Sequence, residues 1–199
     1  MKCTLALLLL GLPLCVLATD DDTEEFLHTI GAFVNKAPII ISYHYALTRD
    51  DFHQDTTGTL ILMESNVFRL TFWDKIYGSD GTSLYVHDKN TRQTIIDSLR
   101  WTELHPWLQI LNGELPTGTR ITQQPSDGLF SNWLLTHLQP MWICTVIMDT
   151  LASRITEIRL KEGDWEHVLR LGVPLPYANS ASAKLVSLDD LPGIRLDLR

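Results

Sequence analysis

The feature that most constrains the fold is a strict alternation of side chains that begins directly after Pro38. Alternation with a period of two is typical of a β-strand, because successive side chains of a strand point to opposite faces. One face of this stretch collects Ile39, Ile41, Tyr43, Tyr45 and Leu47. The sequence therefore predicts a long strand with one strongly apolar face.

Shorter stretches with similar patterning follow this strand. We predict strands over residues 59–63, 67–73, 83–87 and 92–96, and we expect the polar residues from Arg49 to Thr57 to form a turn. The connections are short and hold turn-forming residues such as Asp80-Gly81. Parallel neighbours would need long crossover connections, so these strands are predicted to pair as an antiparallel meander.

A second group of strands is predicted nearer the end of the chain, over residues 130–138, 142–148, 154–161 and 165–171. Gly163 is predicted to lie in a hairpin turn between the last two of these strands. A loop over residues 174–183 is expected to precede one further short strand. The chain thus contains two groups of strands.

Helical spacing occurs before and between these groups. Phe26, Ile30 and Phe33 form one apolar stripe, and the helix that carries it is expected to end near Pro38, where proline blocks continuation. Residues 101–111 predict one or two short helices, followed by a mobile connector up to about Gly128. The predicted fold class is therefore mainly β with helices, as a single curved antiparallel sheet with the helices against its concave side.

Several of these strands are apolar on both faces, unlike an ordinary half-exposed sheet. Leu60 and Leu62 alternate with Ile61 and Met63. One interpretation is that protein covers both faces of the sheet. The other is that the inner face lines an apolar cavity.

The first 18 residues are predicted to be a signal peptide, which leaves residues 19–199 as a single domain. Lys2 provides a positive start, an apolar run follows, and cleavage is expected after Ala18. The apolar run is shorter than a bilayer requires, which argues against a membrane span. Lipidation at Cys15 instead of cleavage remains an alternative.

The charge balance excludes one large class of partners. The chain has 16 Lys and Arg residues against 24 Asp and Glu residues, for a formal net charge of −8. Nucleic-acid binding depends on neutralising phosphates with basic residues, so an acidic chain without a basic cluster is a poor candidate.

Residues for catalysis or metal binding do not form a known pattern. The sequence has no Gly-x-Ser-x-Gly motif, and its histidines do not have the spacing of a metal site. Cys144 lies in an apolar run and is predicted to pack in the core. We therefore predict a binding protein with no catalytic residues, no metal and no cofactor; an enzyme that uses His44 and His87 is the alternative from another class.

The segment from Gly58 to Gln93 carries a more specific pattern. It combines a strand that begins with glycine, a strand containing Phe68-Arg69, and an Asp80-Gly81 turn that leads into an aromatic strand. This order resembles the core signature of the LolA-type outer-membrane lipoprotein carriers. The resemblance extends to residues 133–140, to the hairpin over 155–171 and to the tail over 192–199, which is similar to LolA-like proteins of the Bacteroidetes branch.

The resemblance implies a LolA/LolB-like fold: an incomplete, open antiparallel β-barrel of about 10 to 11 strands with an α-helical lid. It also implies a periplasmic chaperone that carries acylated lipoproteins from the inner to the outer membrane. Its partners would be an inner-membrane lipoprotein-releasing ABC transporter and an outer-membrane acceptor, and we expect a monomer. A carrier or sensor of another amphiphile, such as a glycolipid or a fatty-acyl ligand, is the alternative on the same fold.

The candidate site follows from the resemblance and the strand pattern together. The cavity is predicted to be lined by some of Leu60, Leu62, Phe68, Leu70, Phe72 and Tyr85. The lid residues are predicted to be Leu104, Trp107, Leu108 and Leu111. Phe68 matches the cavity phenylalanine of the family, whereas the arginine that helps to hold the lid shut in the well-known branch, and the proline after it, are replaced here by Glu64 and Ser65.

Overall fold

The computed structural model describes residues 20–34, 38–63, 67–100, 104–113, 115–126, 128–139, 141–177, 191 and 193–199. The predicted signal peptide lies outside the described residues. So do Glu64 and Ser65, residues 101–103 at the start of the predicted helical segment, and residues 178–190, which hold most of the predicted loop and the short strand predicted after it.

The described chain contains two helices and thirteen strands. The helices are α1 (Asp20–Val34) and α2 (Pro106–Leu111). The strands before α2 are β1 (Ile39–Arg49), β2 (Phe52–Leu62), β3 (Val67–Phe72), β4 (Lys75–Asp80), β5 (Ser83–Asp88) and β6 (Gln93–Ser98). Those after it are β7 (Arg120–Gln124), β8 (Phe130–Leu138), β9 (Met141–Asp149), β10 (Arg154–Glu162), β11 (Trp165–Leu171), β12 (Leu175–Pro176) and β13 (Ile194–Asp197).

All thirteen strands belong to one sheet with the order β13-β6-β5-β4-β3-β2-β1-β11-β10-β9-β8-β7, and β12 pairs with β1 beside this path. Every pairing is antiparallel except that of β13 with β6. The order ends at β7 on one side and at β13 on the other, so the sheet is open. The predicted fold class, an open and mainly antiparallel β structure with helices, is confirmed, although the strand count exceeds the predicted one.

The prediction of a turn over residues 49–57 is wrong. The turn is confined to Asp50 and Asp51, and β2 already begins at Phe52. Its first half pairs residue for residue with the long strand β1, from Arg49 opposite Phe52 onward. Most of its side chains are exposed there, so the backbone ladder holds a segment that the apolar pattern could not reveal.

Four strands were not expected from the sequence: β4, β7, β12 and β13. β12 lies within the loop predicted over residues 174–183, and β13 lies in the tail, where no strand was predicted. β4 lies between β3 and β5, and its pattern is weakened by Gly78 and by polar residues at both ends. β7 occupies part of the predicted mobile connector, as an edge strand beside β8. Ile121 is the one fully buried side chain among its five residues, which leaves too few apolar positions for the alternation to be visible.

The inner face of the sheet carries the main core. Phe26, Ile30 and Phe33 of α1 are fully buried, and the ring of Phe26 meets Trp133 edge to face at 5.5 Å. α1 packs against β7, β10 and α2, all at one side of the sheet. At the β6 side of the sheet, Ile95 lies on the same concave face, and its side chain is 40% exposed.

The apolar residues on the outer face of β2 and β3 have their own cover. Ile61, Met63 and Val67 form a small separate cluster with Tyr177, which follows β12. The two apolar faces of these strands therefore have different explanations. The outer face is covered by other residues of the chain, and the inner face contributes to the main core.

Candidate functional site

An apolar cavity of about 390 Å³ lies between α2 and the concave face of the sheet. Its volume is within the range of about 300–1,000 Å³ that is usual for small-molecule sites. The sheet contributes Tyr45, Leu47, Leu70, Phe72, Tyr77, Leu84 and His167, and the turn between β3 and β4 contributes Trp73. The segment around α2 contributes Leu104, His105, Trp107 and Leu108.

Strand register explains why the sheet residues share one surface. Leu70 of β3 pairs with Leu60 of β2 on one side and with Tyr77 of β4 on the other, so the three side chains point to the same face. Phe72 follows two residues after Leu70 on that face. In β5, Leu84 occupies the same face because it pairs with Ser79, two residues from Tyr77.

The short helix α2 covers the cavity on the concave side of the sheet. It begins at Pro106, whose fixed φ suits the first helical position, and it ends after Leu111. The side-chain amide of Gln109 donates a hydrogen bond of 2.6 Å to the carbonyl oxygen of Leu104, which fixes the entering chain. Ile110 and Leu111 are buried in the main core, so they anchor the helix while Trp107 and Leu108 contact the cavity.

Aromatic rings form one wall of the cavity. The rings of Tyr45 and Phe72 meet edge to face with centroids 4.8 Å apart, and Phe72 meets Trp73 at 4.3 Å. The indole of Trp107 lies 6.2 Å from Phe72 and 6.5 Å from Tyr45, measured between centroids. Ring pairs of this kind are directional, so they hold the wall in a defined shape.

Polar groups interrupt the apolar lining at Tyr45, Tyr77, His105 and His167. The hydroxyl oxygen of Tyr45 lies 2.6 Å from Nδ1 of His167 in a hydrogen bond. The rings of His105 and His167 lie 4.8 Å apart, yet both ring nitrogens of His105 are buried without a hydrogen-bond partner. Burial, with a smaller contribution from His167, lowers the pKa of His105 to about 3, and burial raises the pKa of Tyr45 to about 12.

These pKa values keep the lining uncharged at neutral pH. Burial also lowers the pKa of His167, so both imidazoles favour the neutral form. Among the described residues that line the cavity, none is Asp, Glu, Lys or Arg. A surface of this kind can bind an apolar chain and offer it a few neutral hydrogen-bonding groups.

The predicted site residues fall into three groups in the structure. Leu70 and Phe72 line the cavity, together with the predicted lid residues Leu104, Trp107 and Leu108. The closed core beside the cavity holds Leu60, Leu62, Phe68 and Leu111. Each of these four side chains is at most 3% exposed.

Tyr85 lies on the other face of the sheet, away from the cavity. It pairs with Gly78 of β4, one residue from Tyr77, so its side chain points outward. Its hydroxyl donates a hydrogen bond to Oδ2 of Asp80. The placement of Tyr85 among the cavity residues is therefore wrong. Two apolar residues are adjacent at positions 84 and 85, and the side chain of Leu84, not that of Tyr85, faces the cavity.

Sequence reasoning missed several cavity residues. Tyr77 lies on the unpredicted strand β4, and Leu84 is the neighbour of the residue that was predicted in its place. Tyr45 lies on the apolar face that the alternation in β1 predicts, so that pattern was a signal for placing Tyr45 among the cavity residues. No sequence signal marks His105 or His167, because the fold alone brings them together across more than sixty positions of the chain.

The alternative site at His44 and His87 is not assembled. His44 lies on β1 near Oδ2 of Asp55, at 3.3 Å, whereas His87 lies on β5 with its Nδ1 2.9 Å from the hydroxyl oxygen of Thr94. Strands β2, β3 and β4 separate the two, which at about 4.8 Å per strand corresponds to roughly 19 Å. In the described ranges no three His, Cys, Asp or Glu side chains come close enough to hold a metal ion.

Two further features bear on the sequence predictions. Cys144 is fully buried, as predicted, and burial raises the pKa of its thiol.

The described helices include none with the length and apolar character needed to cross a membrane.

Comparisons with known proteins place the fold. No protein-family model and no curated protein sequence matches the chain. An uncharacterised conserved protein from Thermus thermophilus matches with a TM-score of 0.55 at 11% identity, over 88% of this chain and 98% of that one. A LolA superfamily protein from Nitrosomonas europaea matches with a TM-score of 0.48 at 11% identity, over 80% and 96% of the two chains.

A lipoprotein of Mycobacterium tuberculosis, LppX, matches with a TM-score of 0.39 at 14% identity, over 77% of this chain and 95% of that one. The chain shares the fold of the Thermus thermophilus protein.

Proposed function

We propose that this protein is a periplasmic carrier that binds the acyl chains of lipoproteins and takes them from the inner to the outer membrane. The observation that carries the proposal is the apolar cavity beneath α2, which is lined by neutral side chains. The sequence resemblance to LolA-type carriers supports the same function. No catalytic group is needed for it.

The energetics favour a sheltered path for such a cargo. Burial of one CH₂ group contributes about 0.8 kcal/mol, so a long acyl chain in water costs on the order of 10 kcal/mol. A cavity lined by leucine and aromatic side chains offsets that cost without a covalent bond. Leu70, Phe72 and Leu84 on the sheet would contact the chain from one side, and Trp107 and Leu108 from the other.

The closed core beside the cavity limits how much of a chain fits without movement. Leu60, Leu62 and Phe68 are buried beneath the same inner surface, so they would meet the cargo only after α2 moves away from the sheet. We propose that α2 is the lid for this step. It is only six residues long, and its exit is a turn at Asn112 and Gly113.

The partners and the location follow from the proposed role. The cargo would be loaded by an inner-membrane lipoprotein-releasing ABC transporter and delivered to an outer-membrane acceptor, with the carrier acting as a monomer. The predicted signal peptide would direct the chain to the periplasm. The net charge of −8 suits a protein that must not adhere to anionic membrane surfaces.

A cavity-filling substitution tests the binding site. Leu84→Trp adds bulk inside the cavity, and Leu151→Trp makes the same change at a position that is 85% exposed in the turn before β10. We expect the Leu84 variant to bind a hydrophobic fluorescent probe at least tenfold more weakly than the wild type, because the indole occupies the chain's space. The Leu151 variant should bind the probe as the wild type does, and equal affinity in all three proteins would contradict the proposed site.

The nature of the cargo is tested by extraction. The mature protein is purified from its own host, and mass spectrometry identifies the molecules that copurify with it. Acylated lipoproteins would support the carrier role. A glycolipid or a free fatty-acyl ligand would instead support a carrier or sensor of another amphiphile on this fold.

A further inference from the structure

His105 occupies a boundary between two spaces of different character. On one side is the apolar cavity. On the other is a wider recess of about 980 Å³, which we call the mixed recess, whose lining includes the polar residues Gln109, Thr117, His137, Gln139 and Glu162. Leu104 and His105 line both spaces. An amphiphile with its chain in the apolar cavity would therefore place its polar part near His105.

The imidazole of His105 is unusual for a buried polar group. Neither ring nitrogen has a hydrogen-bond partner, and both are shielded from solvent. Buried polar groups in proteins are nearly always hydrogen-bonded, and one that is not calls for an explanation such as a missing ligand. The neighbouring His167 does not supply the bond: its Nδ1 is bonded to the hydroxyl of Tyr45, and no hydrogen bond joins the two imidazoles.

We propose that His105 is a ligand-binding residue that donates a hydrogen bond to the ester or amide carbonyl joining the acyl chain of the cargo to its headgroup. The inference rests on the proposed function, since it needs an acyl chain in the apolar cavity. A neutral imidazole has one N–H donor and one acceptor nitrogen, which suits a neutral carbonyl oxygen. The rings of Trp107 and His167 lie against His105, with centroids 5.7 and 4.8 Å away, and both ring nitrogens of His105 are shielded from solvent.

A matched pair of ligands separates this bond from chain burial. One ligand is a fatty-acid methyl ester, and the other is an alkane of equal length; each displaces a hydrophobic fluorescent probe from the protein. One net hydrogen bond corresponds to about a five- to tenfold difference in affinity, so we expect the wild type to prefer the ester by that factor. His105→Leu should bind the alkane as well as the wild type does and lose the preference. The control His53→Leu changes an exposed histidine of β2 and should keep the preference.

The outcomes distinguish this inference from the proposed function. Failure of both ligands to displace the probe from the wild type would refute the binding of acyl chains itself. Displacement by both ligands without preference, or a preference that survives in His105→Leu, would refute the role of His105 alone. If the leucine variant does not fold, ring-nitrogen NMR of the wild type gives the answer: the His105 signals must shift with the ester and not with the alkane, and unchanged signals overturn the inference.

Discussion

The buried imidazole of His105 predicts a specific dependence of stability on pH. Burial and the nearby His167 lower the pKa of His105 from 6.5 to about 3 in the folded protein. In the unfolded chain the imidazole regains its ordinary pKa and takes up a proton below pH 6.5 or so. Between these values the unfolded state binds the proton and the folded state does not, so acid favours unfolding. The contribution of His105 is complete above its unfolded pKa and declines as the pH falls toward its folded pKa.

The magnitude follows from linkage for a single proton. The free energy of unfolding should fall by about 1.4 kcal/mol for each pH unit well below pH 6.5, which amounts to about 2 kcal/mol between pH 7 and pH 5. His105→Leu removes the titrating group while keeping an apolar side chain in contact with Trp107. The variant should therefore be less sensitive to acid than the wild type by that amount.

Chemical denaturation at a series of pH values measures this difference. Other groups titrate in the same range, so the quantity of interest is the wild-type free energy of unfolding minus that of the variant at each pH. His105→Phe serves as a second variant, because it keeps a planar ring without the charge. Parallel pH profiles for the wild type and both variants would refute the reasoning, since they would show that His105 is protonated equally in the folded and unfolded states.

Two further predictions concern the sheet around the site. Gly58→Ala should destabilise the fold by about 1–3 kcal/mol in denaturant titration, because a methyl group there would lie 2.6 Å from the Tyr43 hydroxyl oxygen and disturb its hydrogen bond to the carbonyl of Thr71; an unchanged midpoint would contradict this packing. Burial alone would raise the pKa of Asp80. Its carboxylate accepts hydrogen bonds from Tyr85, Ser83 and Thr82, however, and these lower the pKa from 3.8 to about 2. Asp80→Asn should therefore cost roughly 1 kcal/mol at neutral pH, and the cost should disappear as the pH falls through about 2, whereas a cost independent of pH would contradict a role for the charge.

The fold was predictable where burial alternates clearly with exposure. The long strand β1 and the strands from β8 to β11 bury one face each, so their side chains reveal them. The first half of β2 is held by its backbone ladder to β1 while most of its side chains face water, and it was missed. β7 was missed for a related reason, since an edge strand with one buried side chain has almost no pattern.

The site was predictable in part, because some of its residues lie in segments whose sequence is clearly apolar. Leu70 and Phe72 lie on a clearly apolar strand, and Trp107 and Leu108 on a clearly apolar helical segment, so their apolar character marks them. The inward face of β5 depends on its register with β4, and without that strand the choice between Leu84 and Tyr85 could not be made. The environment of His105 arises only in the folded chain, since its neighbour His167 comes from the other group of strands.

The central claim is that an acyl chain binds between α2 and the sheet. Intermolecular nuclear Overhauser effects between a fatty-acid methyl ester and the protein test it most directly. We predict contacts from the ester's methylene protons to the methyl groups of Leu70 and Leu84 and to the indole of Trp107, which line the cavity from opposite sides. Contacts confined to exposed apolar residues such as Leu138 and Met141, which are 71% and 65% exposed, would contradict the claim.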